Sequence, residues 1–451
     1  MTAPVTYRRS LGLFSGTMLV IGGIIGSGIF LNPAIVAQRV GTADLTMLAW
    51  GLGAVVALIG AFIFADLGQR RPKAGGGYIY LRDAFGPVYA FLYPWTLFLM
   101  TATGAIAAVA VTFSTYAGPL LGLPPELEKP LAAAAIALLT GINIVGIRPG
   151  AWTQNIFTVL KLAAIAVLVF AGLALSPIHP HVCGACTAAA AAPTSLSAGI
   201  LAMGAALVPV LFAFGGWQQT NFVAEELRDP ERNLPRALVL GVIAVVVVYL
   251  TVNLAYLRAL GADGLAASTA PAADTMEIYL GAAGRTLIAA VIVISTFGFL
   301  NLVILVTPRV YQATAADGLF FEGFSRLHPG FRTPVIALVA QGAWAIILLY
   351  SGSYGQLLDY VVFADWIFFG SNAVALFVLR KQDVAAGRDA AVTVRTPLHP
   401  WSTGVFILAS VYVLVGTITS NPGNAMIGAA FLAIGVPVCL FWRGRSLAKS
   451  A

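Results

Sequence analysis

Gly22-Gly23-Ile24-Ile25-Gly26-Ser27-Gly28-Ile29-Phe30 decides how this chain is to be read. The stretch lies inside an apolar segment from Leu11 to about Val36, and crossing a bilayer takes about 20 mainly apolar residues. Yet the seven positions from Gly22 to Gly28 hold four glycines and a serine. Lipid-exposed unwound backbone is not tolerated, so a glycine cluster at mid-span points to a helix broken where protein or a cavity surrounds it. Such a break presents helix ends that can grip a charged solute. A second reading is available at this point, a close helix-packing face of the small-xxx-small kind at Gly22 and Gly26.

Composition places the segment in its setting. Of 451 residues, 59% are hydrophobic and 10% charged, with mean hydropathy +0.90. A soluble domain carries about 25% charge, so the chain reads as an all-α polytopic membrane protein. The first apolar segment is too long for a signal peptide, and no A-x-A-like site precedes the next span. Twelve spans are predicted, at about 11–38, 44–68, 86–117, 130–147, 153–175, 197–226, 236–258, 284–312, 334–351, 356–379, 402–419 and 424–442. Of the 25 Lys and Arg, 20 fall on the side of the N-terminus and 4 opposite (Arg39, Lys129, Arg258, Arg285), leaving Lys161 inside the fifth span. The bias predicts cytoplasmic termini in the cell membrane and accounts for the net charge of +7 without nucleic acid. Three cysteines are too few for a disulfide framework. In the loop Ser176–Leu196, His179, His181, Cys183 and Cys186 admit a metal site or a disulfide, or simply an Ala/Pro-rich surface loop. Arg380–Pro400 reads as a polar linker.

A matching interruption lies five spans on, at Leu207-Val-Pro209-Val-Leu-Phe212-Ala213-Phe214-Gly215-Gly216-Trp217-Gln218-Gln219. Paired broken helices at corresponding positions of two halves point to a transporter's midplane site. A repeat of five spans inverts the second half relative to the first. The physics of the two breaks suits a zwitterion. Exposed N–H groups at Ser27, Gly28 and Ile29 begin a half-helix and present positive dipole to a carboxylate. Carbonyls at Ile24, Phe212 and Gly215 end half-helices and accept from an ammonium. Glycine, as at Gly26, lets a ligand approach the backbone. Phe212, Phe214 and Trp217, around Ala213, are candidates for lining the pocket, with ordinary helix packing as the alternative.

Gly-Ser-Gly-Ile-Phe at 26–30, Phe-Ala-Phe-Gly-Gly-Trp at 212–217 and Glu225-Glu226-Leu-Arg-Asp-Pro230-Glu-Arg-Asn233-Leu-Pro235 resemble the amino acid–polyamine–organocation superfamily. Within it the chain is most similar to the L-type amino acid transporter branch and its bacterial relatives. Phe297-Gly298-Phe-Leu-Asn301 and Pro308-Arg309-Val-Tyr311 through Asp317-Gly318 agree. The resemblance implies a LeuT-type core of two inverted five-helix repeats, here 11–175 and 197–379, after a tail at 1–10 and before two accessory helices at 402–442. It implies α-amino acid recognition at the breaks, with Phe212 as an aromatic gate. A tyrosine common in relatives at 214 is Phe here, without its hydroxyl. Some animal relatives bind a heavy subunit through a loop cysteine. The 117–130 loop has none, so no covalent partner is expected.

Two intramembrane charges remain. A charge at mid-span costs about 2.5–3.5 kcal/mol on insertion scales and is a functional hypothesis by default. For Lys161 the bland reading is snorkelling to the nearby surface. By resemblance it stands where related carriers hold sodium, which implies sodium-independent transport. Asp365, in Phe363-Ala-Asp365-Trp366, replaces an uncharged polar residue of many relatives. It biases the cavity toward cations, carries a proton, pairs with another group, or is a bystander in an aqueous vestibule. Asp66 reads as a partner of Arg70 or Arg71, and Glu225, Glu226 and Asp229 as gate or loop charges among Arg228, Arg232 and Arg236.

The expected function is exchange of neutral L-amino acids by alternating access. Proton-coupled symport and a non-transporting sensor are the alternatives. A channel lacks a continuous polar lining. An enzyme lacks HExxH, GxSxG or clustered carboxylates. No catalytic residue, cofactor or resident metal is expected, and the partners are the amino acid and membrane lipid.

Overall fold

The computed structural model describes residues 5–175, 195–351, 354–420 and 422–450. The His179–Cys186 motif lies outside them. The first half runs through α1 (Leu13–Ile24), α2 (Gly28–Val40), α3 (Ala43–Arg70), α4 (Gly77–Phe85), α5 (Pro87–Thr96), α6 (Ala102–Leu120), α7 (Glu128–Ile144) and α8 (Ile147–Ala174). The second runs through α9 (Leu196–Ala213), α10 (Pro230–Ala267), α11 (Pro271–Leu280), α12 (Ala282–Val306), α13 (Pro308–Ala316), α14 (Val335–Ser351) and α15 (Tyr354–Ala385), then α16 (Trp401–Ser420) and α17 (Pro422–Ser450). Among the described residues there are no strands, and nine helical stretches are long and apolar enough to span a membrane. A tenth is the pair α1 and α2, bent by 43° at the break. The chain is a multi-pass membrane protein.

Local chemistry sets the boundaries. Gly41 ends α2 in the left-handed conformation (φ 72°), and Thr42 then caps α3 by accepting from Leu45 N–H at 3.3 Å. Pro94 removes a donor inside α5, and the chain widens at once into a π-turn over Leu97–Thr101. Pro33 and Pro209 likewise remove donors, and each carbonyl four residues earlier takes a side-chain donor instead. Tyr256 donates to Ile29 (3.4 Å) and Arg39 to Ala205.

Two segments predicted as plain loops carry helix. α4 lies between the second and third spans, and α10 runs on past a turn at Gly261 (φ 70°) before α11. Both expose too few apolar residues in a row to register as spans. The polar stretch 380–400 is no free linker either. Asp66 accepts from Arg70 at 2.7 Å, from Arg380, and from Thr396 N–H at 3.0 Å. Arg70 reaches Asp383 (3.0 Å) and Asp389 (2.8 Å), and Gln69 holds the N–H groups of Thr393 and Val394. Of the two partners predicted for Asp66, Arg70 is the one it meets; Arg71 pairs with Asp83 and Asp383.

The core gathers around α10, which packs against α1, α2, α3 and α8. Met18 to Ile25 are buried on every side. A helix apolar all round and wholly enclosed by protein is where a break is tolerated in a membrane.

Candidate functional site

The first break begins at Ile25, extended at φ −75° and ψ 92°. Gly26 N–H turns back onto the Ile24 carbonyl at 2.9 Å, and Ser27 leads into α2. Among the described residues, no capping side chain or carbonyl is bonded to the N–H groups of Ser27, Gly28 and Ile29. Gly26, Ser27 and Gly28 are half-buried while both flanks are buried.

At the second break α9 ends at Ala213, Gly215 N–H returns to the Phe212 carbonyl (3.1 Å), and Gly216 takes φ 113°. A tight 3-10 segment, Trp217–Glu226, follows. Gln218 accepts from Gly216 N–H at 3.1 Å, so the turn is capped by its own side chain.

The two breaks touch backbone to backbone. A Cβ on Gly216 would stand 2.2 Å from the Gly23 carbonyl oxygen, and one on Gly23 would stand 3.0 Å from that of Gly216. Gly22 serves a third element, since a Cβ there would lie 2.0 Å from Gln154 Nε2 on α8. Gly26 differs: its added Cβ would find nothing nearer than Phe299 at 3.9 Å. The cluster therefore divides into Gly22, Gly23 and Gly28, which pack, a Cβ on Gly28 standing 3.2 Å from that of Ala213, and Gly26, which leaves open space. Of the packing face expected at Gly22 and Gly26, Gly22 packs and Gly26 does not.

That space is a cavity of about 320 Å³, within the range usual for small-molecule sites. Of the predicted site residues, Ile24, Gly26, Ser27, Gly28, Phe212, Ala213, Gly215 and Asp365 line it. Ile29, Phe214, Trp217 and Lys161 do not. Ile29 is fully buried. Phe214 turns from the cavity into an aromatic cluster, 4.9 Å from Tyr249 and 5.9 Å from Trp50 between ring centroids. Trp217 stacks on Phe369 at 5.5 Å. Helical geometry turns successive side chains by about 100°, so of Phe212, Phe214 and Trp217 only Phe212 faces the open side.

Lys161 does not snorkel. It is fully buried on α8, and its Nζ donates to the Ile25 carbonyl at the break itself. The Lys161 side chain thus caps the C-terminal end of α1. Beside it a buried polar chain crosses the fold. Asn143 donates to Asn301 (3.0 Å), Asn301 to Gln154 (3.1 Å), Gln154 to Thr158 (3.2 Å), and Thr158 to the Met18 carbonyl (3.3 Å).

One expected acceptor is taken. Tyr249 hydroxyl lies 3.0 Å from the Ile24 carbonyl and 3.1 Å from that of Ala213, joining the two breaks. With Gly26 N–H also bonded to it, the Ile24 oxygen has both lone pairs engaged and is not free for an ammonium. Tyr249 had no signal of its own, a single tyrosine in the run Val245-Val-Val-Val-Tyr249-Leu. Asn32, which donates to the Pro209 carbonyl at 2.8 Å, was visible as a lone amide beside a proline. Glu226 pairs not with its neighbours Arg228, Arg232 or Arg236 but with Arg309 at 2.8 Å, both side chains buried. Its carbonyl accepts the N–H groups of Ser10 and Leu11, tying the entry of α1 to the end of the second broken segment. Among the described residues no group of three or more His, Cys, Asp or Glu is arranged to hold a metal.

Comparison with known proteins places this geometry. The serine/threonine exchanger SteT of Bacillus subtilis is 32% identical over 436 residues, 96% of each chain. The b(0,+)-type amino acid transporter 1 of Mus musculus is 32% identical, covering 92% of this chain and 84% of its own. The large neutral amino acids transporter small subunit 2 of the same species is 31% identical, covering 96% and 81%. The family model for the amino acid permeases matches residues 11–441, nearly the whole chain. The chain belongs to the amino acid permease family.

Proposed function

We propose that the protein is a sodium-independent amino acid exchanger of the cell membrane, working by alternating access with both termini in the cytoplasm. The observation that carries this is the meeting of two broken helices, backbone against backbone at Gly23 and Gly216, on one cavity. The substrate carboxylate sits at the N–H groups of Ser27, Gly28 and Ile29, which α2 presents with its positive dipole. The ammonium lies toward Gly215, whose carbonyl accepts no hydrogen bond among the described residues, while Phe212 covers the ligand. Lys161 does the work of a coupling cation, since its ammonium already neutralises the end of α1.

Twelve spans follow if α14, α15 and the bent pair are counted with the nine. Residues 11–175 and 197–379 are then inverted repeats of a LeuT-type core, and 402–442 two accessory helices. The occurrence of one break in the first span and a second five spans on supports this division.

The test is labelled neutral amino acid uptake into proteoliposomes, with and without internal amino acid and with sodium or choline outside. Uptake that requires internal amino acid and ignores sodium is expected. No counterflow across a broad panel would overturn the exchanger, and sodium-dependent net uptake would overturn the role of Lys161.

A further inference from the structure

Asp365 is the unexplained charge. It lines the cavity from α15 and makes no hydrogen bond or ion pair among the described residues. Among the described residues that line the cavity, the other titratable side chain is Tyr93, which faces Asp365 from α5. Lys161 is engaged with the Ile25 carbonyl and does not line the cavity.

The neighbouring elements offer no counter-charge. Helices α6, α14 and α16 carry one tyrosine each (Tyr116, Tyr350 and Tyr412) and, like the π-turn at Leu97–Thr101, no Asp, Glu, Lys, Arg or His. Of the charges of α3 and α4, Asp44 stands in the first turn of α3, and Asp66, Arg70, Arg82 and Asp83 are held near the far end of α15 with Arg380, Asp383 and Asp317. Arg443, Arg445 and Lys449 stand in the last turns of α17. Tyr311 and Tyr80 lie beyond Tyr93 and are neutral.

A zwitterion adds no net charge to this cavity. Closing over a neutral ligand would bury an uncompensated carboxylate, which is costly. One positive charge has to be supplied with each substrate. We propose that Asp365 receives it in either of two forms: the cationic side chain of a dibasic amino acid, or a proton when the substrate's side chain is neutral. The proposal rests on the exchanger reading and adds a substrate class to it. Loading a neutral amino acid forms an O–H bond at Asp365 with a proton from the open side. Loading lysine or arginine leaves the carboxylate ionised against the ammonium or guanidinium. Exchange of a cationic amino acid inward for a neutral one outward therefore moves one proton outward, and no net charge crosses.

Proteoliposomes filled with serine or leucine, given external arginine or lysine, test this with a pH dye and with the membrane potential clamped by potassium and valinomycin. The expected result is arginine-driven outward proton movement and uptake indifferent to potential. Asp365→Asn should lose cationic uptake roughly thirtyfold or more, the effect of removing one partner of a buried charge pair, and with it the arginine-driven proton signal. Asp365→Glu should restore the proton signal in part. Neutral exchange with no cationic uptake by the wild type would overturn the proposal and leave the exchanger standing. So would cationic uptake that follows the potential and moves no proton. Absence of all exchange would overturn both. Should Asp365→Asn not fold, the wild type decides alone through the proton and potential readouts.

Discussion

The two breaks look alike in sequence and are held differently in space. The first, at Ile25 to Ser27, is supported from outside its own segment: Lys161 on the Ile25 carbonyl, Tyr249 on that of Ile24. Its bend of 43° leaves the N-terminus of α2 uncapped, with Gly26, Ser27 and Gly28 on the cavity. The second shares the Tyr249 hydroxyl, at the Ala213 carbonyl, and otherwise supports itself. Gly216 takes a conformation that side chains resist, Gln218 caps it, and the chain continues as a tight 3-10 run. One break is built to offer hydrogen-bond donors and the other to let two backbones touch. Paired glycines alone do not say which is which; their neighbours do.

The sharpest way to break this contrast is at the contact. Gly216→Ala puts a Cβ against the Gly23 carbonyl at an unfavourable φ. We expect a loss of about 3 kcal/mol or more, seen as a collapse of thermal stability in detergent and of exchange. Next is Lys161→Met, which leaves the Ile25 carbonyl without its buried donor. The expected destabilisation is about 1–3 kcal/mol, with exchange lost and not restored by sodium; unaltered exchange would show that the first break holds without its external prop.

Tyr249→Phe removes the hydroxyl shared by Ile24 and Ala213. Since Gly26 N–H still serves Ile24, the effect should be about 1 kcal/mol, near a fivefold change in substrate affinity by isothermal titration. Gly26→Ala should leave the melting temperature nearly unchanged, within about 0.5 kcal/mol, because its Cβ enters open space. It should weaken amino acid binding all the same, and equal loss of stability and binding would return Gly26 to the packing class.

A small effect is expected at Asp389, where the hydrogen bond from Arg70 holds the carboxyl below its ordinary range. A lowered value means stabilisation present at neutral pH and lost as pH falls through it. Asp389→Asn should cost under about 1 kcal/mol at pH 7, as expected for a partly exposed pair, and the gap from wild type should close in acid.

Much of the spanning pattern was legible because about 20 apolar residues in a row have few other uses in a chain. The two breaks were legible because glycine and proline inside such a run contradict it. What stayed hidden depended on rotation about a helix axis. Phe212, Phe214 and Trp217 lie within six positions of sequence, and only their angular order, disturbed by the break itself, decides that Phe212 faces the cavity. Tyr249 and the chain from Asn143 to Thr158 were hidden for another reason. Their partners come from α1, α7, α8 and α12, and pairings across such distances leave no local mark.

The docking of 380–400 bears on how the protein can be handled. Composition would recommend this stretch for a protease site or an inserted tag, being polar and set between spans. With Thr396 and Asp383 buried and Asp66 gripping the backbone, a cut or an insertion there would pull on the ion-paired ends of α3 and α15 together. Limited proteolysis should spare it.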